Sequence, residues 1–198
     1  MNAVYDAALE VQTFFEQQGW KFCIIGGLAV IRWGRMRATQ DADFSLLTGF
    51  GDEDEFLDTI AHRFQAREPN EVAFARAARV YRAFASNGIE IDIALAAFPF
   101  EEEAISRASP YEFRPGCVLQ TCSADDLIVM KAFAGREQDW ADVRNVAASQ
   151  WNSLDWGYIG RNLEQLCDLS EKFASVPKLD QLRTELELAL TKRKRKRT

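Results

Sequence analysis

Apolar residues recur along this chain with two different periods. Val4, Ala7, Ala8, Val11, Phe14 and Phe15 fall three and four positions apart, the stripe of an amphipathic helix over 4–18, and Gly19 ends it. Lys21–Ile25 is a short apolar run stopped by Gly26-Gly27 and reads as a buried strand, followed by one or two helical turns over Leu28–Trp33. A strand is expected over Ala42–Leu47, a helix over Asp52–Phe64, and a short helix from Asn70 to Ala77 with Asn70 as its cap. Val80–Ser86 and Ile89–Leu95 alternate apolar and polar on either side of Asn87-Gly88, which predicts a hairpin with a type I′ turn. Glu101–Arg107 is expected to be helical, and short extended pieces flank Pro115-Gly116. Ser123, followed by Asp125 and Asp126, reads as the cap and first turn of a helix to Ala134. Only helical patterns follow: Glu137–Ser149, then Asp155 to about Phe173, then Pro177 to about Thr191.

This order predicts an α/β class, with a mixed sheet in a core of residues 1–122, a helical portion over 123–191 and a basic tail over 192–198. The 198 residues are 47% hydrophobic and 27% charged, which excludes collagenous, disordered and disulfide-scaffold classes. No apolar run approaches the roughly 18 residues of a membrane span. The first residues lack a basic stretch followed by an apolar one, so the cytoplasm is the expected location. Four scattered cysteines and one histidine, His62, cannot complete a zinc site of usual spacing or a serine-histidine-aspartate triad.

Charge is uneven. The formal net is -6, yet without the six bases Lys192–Arg197 the body has 18 Lys and Arg against 30 Asp and Glu, a net of -12. An acidic body does not suit nonspecific coating of nucleic acid, although it permits a local grip on a nucleic-acid end. The tail itself reads as a solvated helix end or as a contact with RNA.

Candidate chemistry concentrates on Asp41, Asp43 and Asp92. Acids at i and i+2 of a strand share a face with α-carbons about 6.6 Å apart, close enough for their side chains to converge on divalent ions. In the second hairpin arm Ile89, Ile91 and Ile93 form the buried face, so Asp92 stands on the other. If the two strands adjoin, three carboxylates meet, and magnesium would relieve their repulsion. A solvated sheet face would need no ligand at all, and Gly26-Gly27 alone would make a plain turn. Together with a following helix, however, the glycines would let backbone N–H groups approach phosphate oxygens.

The pattern Ile25-Gly26-Gly27, thirteen further residues, Asp41-Ala42-Asp43-Phe44 and Ile91-Asp92-Ile93 resembles the nucleotidyltransferase fold associated with polymerase beta. Arg35–Gln40, Phe98–Glu103, Asp126–Lys131 and the stretch from Arg136 to Asp142 resemble the minimal nucleotidyltransferases related to AbiEii-type toxins. The resemblance implies a magnesium-dependent enzyme, with manganese as a substitute, that moves a nucleoside monophosphate from a triphosphate to an acceptor hydroxyl and releases pyrophosphate. It implies Asp41, Asp43 and Asp92 as metal-holding and catalytic residues, and Gly26, Gly27, Arg37, Thr39 and Lys131 as nucleotide contacts. The implied acceptors are RNA such as a tRNA end, or a protein, with an antitoxin as partner. Gln138, just before Asp139, stands where relatives often carry lysine, which weakens the case for a second basic contact there. Two other readings fit the same residues: a noncatalytic nucleotide- or partner-binding module, and an antibiotic-modifying nucleotidyltransferase.

Overall fold

The computed structural model describes residues 2–170 and 174–195. The helix end expected near Phe173 and the end of the basic tail, Lys196 to Thr198, lie outside them. The chain divides into two compact units, residues 1–32 with 36–123, and residues 33–35 with 124–198. Among the described residues no helix is long and apolar enough to cross a membrane.

The first unit holds helices α1 (Asn2–Gln17), α3 (Glu53–Arg63), α4 (Glu71–Ala78) and α5 (Pro99–Ser106), and α2 (Gly26–Trp33) ends at its boundary. Its strands are β1 (Phe22–Ile24), β2 (Asp41–Leu47), β3 (Gln65–Ala66), β4 (Val80–Phe84), β5 (Glu90–Ala96), β6 (Ser109–Arg114) and β7 (Cys117–Thr121). They form one mixed sheet in the order β3-β4-β5-β2-β1-β7-β6. β2 runs antiparallel to β1 and parallel to β5, so the expected α/β fold with a mixed sheet is present.

The alternation read from the sequence decides which sheet face is buried. Phe22, Ile24, Ala42, Phe44, Leu46, Ile91, Ile93 and Leu95 join Val4, Ala8, Val11 and Phe15 of α1 and Leu57 and Ile60 of α3 in one core. Phe15 lies at its centre, edge-on to Phe44 at 5.7 Å and to Phe22 at 5.3 Å between ring centroids. Fully burying one such ring contributes about 1.5–3 kcal/mol, so this cluster alone outweighs any exposed ion pair in the unit. The sheet edges discourage pairing with other chains: β3 is two residues long and β6 carries Pro110 and a register shift between Glu112 and Arg114.

Two local expectations are corrected. The β4-β5 hairpin forms, but Phe84 pairs with Glu90 and Ala85 bonds Ile89, leaving a three-residue loop at 86–88. Only Gly88 there has positive φ, whereas a type I′ turn needs two such residues. Asn70 does precede α4, yet its side chain makes no capping bond. Arg79, which ends α4 at a left-handed φ of 55°, compensates its strain with bonds from Nε to Leu95 O (2.9 Å) and from Nη2 to Gly49 O (2.9 Å), and with an ion pair to Glu53.

The second unit contains α6 (Ala124–Ala134), α7 (Glu137–Gln150), α8 (Trp156–Ser170) and α9 (Ser175–Arg195). Trp151 and Trp156 pack on each other at 5.3 Å. Its polar centre is Lys131, whose Nζ lies 2.9 Å from Asp139 Oδ1 and 3.1 Å from Asp142 Oδ2. Burial pushes the Asp139 carboxyl up, but hydrogen bonds and charge from Arg136 and Lys131 outweigh it and hold Asp139 below the ordinary aspartate value. A carboxyl lowered in the folded chain contributes stability above its unfolded pKa of about 3.9, and that contribution disappears as pH falls through the folded value. Lys131→Met should therefore destabilise the unit by about 3–5 kcal/mol at neutral pH, because buried Asp142 loses its ion pair and buried Asp139 keeps only that to Arg136. Denaturant melts should show this gap narrowing below about pH 4; an unchanged midpoint at pH 7 would refute the structural role of Lys131.

Candidate active site

The face of the sheet opposite the core collects the acids. With Ala42 and Phe44 buried, Asp41 and Asp43 are half-exposed on the other side of β2, and β5 repeats the pattern with Glu90 and Asp92. In-register parallel pairing sets Asp43 opposite Asp92 and Asp41 opposite Glu90, on strands about 4.8 Å apart. The row continues through Arg82, opposite Asp92 on β4, to Arg67, whose backbone N–H bonds the Arg82 carbonyl at 3.1 Å.

Gly26 and Gly27 open α2 against this row. Ile25 N–H donates to Asp43 O at 2.9 Å, tying the end of β1 to β2. Gly26 has φ 58°, and the Asp43 carboxylate lies so close that a Cβ on Gly26 would sit 1.8 Å from Asp43 Oδ2. A Cβ on Gly27 would sit 2.2 Å from Thr39 Oγ1 and 3.6 Å from Arg37 Nη2. Gly27 N–H points at Asp43 Oδ2 across 3.4 Å, and Thr39 Oγ1 donates to Asp41 Oδ1 at 3.1 Å. Glycine is required twice because the backbone passes directly beneath two side chains. The helix start presents the Gly27 N–H to a carboxylate, the arrangement in which such ends bind anions.

Gly26, Gly27, Arg37, Thr39, Asp41, Asp43 and Asp92 are thus gathered around the β2-β5 end of the sheet. Lys131 belongs to the second unit, where its ammonium is held by two buried carboxylates.

Asp92 is held by the residue that follows the edge strand β3. Arg67 Nη2 lies 2.5 Å from Asp92 Oδ1, and Nη1 lies 3.1 Å from Glu90 Oε2. Burial pushes the Asp92 carboxyl up, the Arg67 charge pulls it back, and Asp41 and Glu90 push it up again; the outcome is above the ordinary aspartate value. The sequence reading missed Arg67, since it follows a two-residue strand with no alternation to mark it. Arg82 was missed as well; it is bound by Glu71, whose buried carboxylate takes Nε at 2.8 Å and Nη2 at 3.1 Å.

Among the described residues no three His, Cys, Asp or Glu side chains form a ready-made metal group. The donor chemistry of Asp41 and Asp43 nevertheless suits magnesium. That ion takes hard oxygen ligands, and one or two carboxylates suffice when water and substrate phosphates complete its shell.

The family described as "Nucleotidyltransferase of unknown function (DUF6036)" matches residues 3–195. No curated protein matches the chain in sequence. Among solved structures, the chain resembles an antigenic nucleotidyltransferase-like protein from Paracoccidioides brasiliensis, with TM-score 0.50 and 11% identity over 88% of this chain and 92% of that one. It also resembles the antibiotic-resistance factor ANT(2″)-Ia, with TM-score 0.53 and 14% identity over 91% of this chain and 98% of that one. At these identities the likeness is one of fold, and the fold is that of nucleotidyltransferases.

Gly26→Ala should cost about 1–2 kcal/mol for its left-handed backbone and also displace the Asp43 carboxylate, so any triphosphate binding that calorimetry finds in the unaltered chain should be lost. Gly19→Ala is the control: φ there is 70°, but nothing lies within 4 Å of the added carbon. It should show the same strain with unchanged binding. Equal binding by both variants would remove the close approach at Gly26 from the site.

Proposed function

Because the chain belongs to this family of nucleotidyltransferases, we propose that it moves a nucleoside monophosphate from a nucleoside triphosphate to an acceptor hydroxyl on RNA, such as a tRNA end, or on a protein. The observation that carries this reading is Asp43 facing Asp92 in register, beside the glycine-lined start of α2. The likeness of Arg35–Gln40, Phe98–Glu103 and Asp126–Lys131 to AbiEii-type toxins supports a macromolecular acceptor, an antitoxin partner and a cytoplasmic setting.

Asp41 and Asp43 would hold magnesium, or manganese in its place, which when bound neutralises charge on the triphosphate. The N–H groups of Gly26 and Gly27 bind phosphate oxygens, and Arg37 and Thr39, packed over Gly27, orient them. Asp92, a carboxylate with raised proton affinity, accepts the proton of the acceptor hydroxyl. That oxygen bonds the α phosphorus as the bond to the β-phosphate bridging oxygen breaks, and pyrophosphate leaves with the electron pair.

Each α-labelled triphosphate should be incubated with the protein and total cell RNA, cell protein or an aminoglycoside. Label is expected on RNA or protein, and Asp41→Asn with Asp43→Asn should lower it at least about 100-fold without unfolding the chain. Wild-type turnover in that variant would rule out the metal role. Label on the aminoglycoside alone would make the chain a small-molecule modifier, and triphosphate binding without pyrophosphate release would make it a nucleotide-holding module.

A further inference from the structure

Arg67 is tethered on every side. Besides Asp92 and Glu90, its guanidinium donates from Nη2 to Ile91 O at 3.3 Å and from Nε to Ala83 O at 3.4 Å, and its side chain is only 19% exposed. A planar guanidinium bound by two carboxylates and two carbonyls is fixed as a fork and not a roaming surface charge. Arg82, next in the row, also acts on Asp92 through its charge but is ion-paired to Glu71, so Arg67 is the cation bonded directly to Asp92 and the stronger of the two influences on it.

We infer that Arg67 is an internal counter-cation that withholds Asp92 from a divalent ion in the free protein, leaving Asp41 and Asp43 as the resting metal-binding pair. This rests on the reading of Asp41 and Asp43 as that pair. It gives the third acid on this sheet face a cation of its own, while Asp41 and Asp43 stay on the neighbouring strand. Asp92 is released only when another anion takes its place on the fork. A phosphate oxygen of the bound substrate is such an anion, because guanidinium matches phosphate as well as carboxylate. Completion of the site is thereby coupled to substrate arrival, and idle hydrolysis of the triphosphate is disfavoured. Arg67 is a positioning residue: it acts through Asp92.

The test measures Mn2+ binding to the full chain without nucleotide, by electron paramagnetic resonance of free Mn2+, in wild type, R67Q, D92N and the double variant R67Q/D92N. R67Q should bind Mn2+ about tenfold tighter, the scale on which a neighbouring charge within a few ångströms alters a carboxylate. D92N alone should stay within about twofold of wild type, since Asp92 is already withheld, and the double variant should lose the gain of R67Q. Simple addition of charge effects would instead weaken D92N as much in the wild-type background as in R67Q, and that result would overturn the inference. So would an unchanged affinity in folded R67Q, or no Mn2+ binding by any variant. If R67Q does not fold, D92N alone decides: a tenfold weakening means Asp92 is already a ligand in the free protein. Failure of the proposed transferase activity appears separately, as absence of labelled product while the Mn2+ pattern holds.

Discussion

The candidate site depends on the in-register parallel pairing of β2 with β5. Because side chains alternate with period two, a slip of one residue would place Asp92 in the core and Ile91 or Ile93 beside Asp43. The register is held from below by Phe44, Leu46, Ile91, Ile93 and Leu95, all buried, so the hydrophobic cluster is what aligns the acids above it. Core and chemistry are two faces of the same alternation, and the first enforces the second.

The acids accept a cost in return for this alignment. Four carboxylates on two adjacent strands repel one another, and burial raises Asp92 further. The protein offsets the repulsion from one side with Arg67 and from the other with the Gly27 N–H at the start of α2. The balance is local: it uses a short edge strand and a glycine pair, and leaves the acidic net charge of the body in place.

Much of this was legible in the chain because it is periodic or local. The alternation in 41–47 and 89–95 marked both strands and their buried faces, and Gly26-Gly27 marked the turn that passes beneath Asp43 and Thr39. The hairpin was legible but its turn type was not, since loop length follows from the Phe84–Glu90 register and not from the Asn-Gly pair. Arg67 was invisible for a different reason: its partner lies 25 residues away and is chosen by tertiary pairing. Lys131 shows the reverse case, a residue that its motif marks for phosphate while Asp139 and Asp142, 8 and 11 positions on, enclose it.

β2 and β5 are parallel neighbours, so the chain must cross back between them, through α3, β3, α4 and β4, the two strands lying on the far side of β5 in the same sheet. Asp43 and Asp92 are 49 residues apart in sequence, which makes their meeting a non-local event. Closing so long a segment costs entropy before any contact compensates it, and such pairings form late in folding. An emerging or partly folded chain therefore holds each acid separately, and an enzyme with this connectivity is chemically silent until its fold is nearly complete.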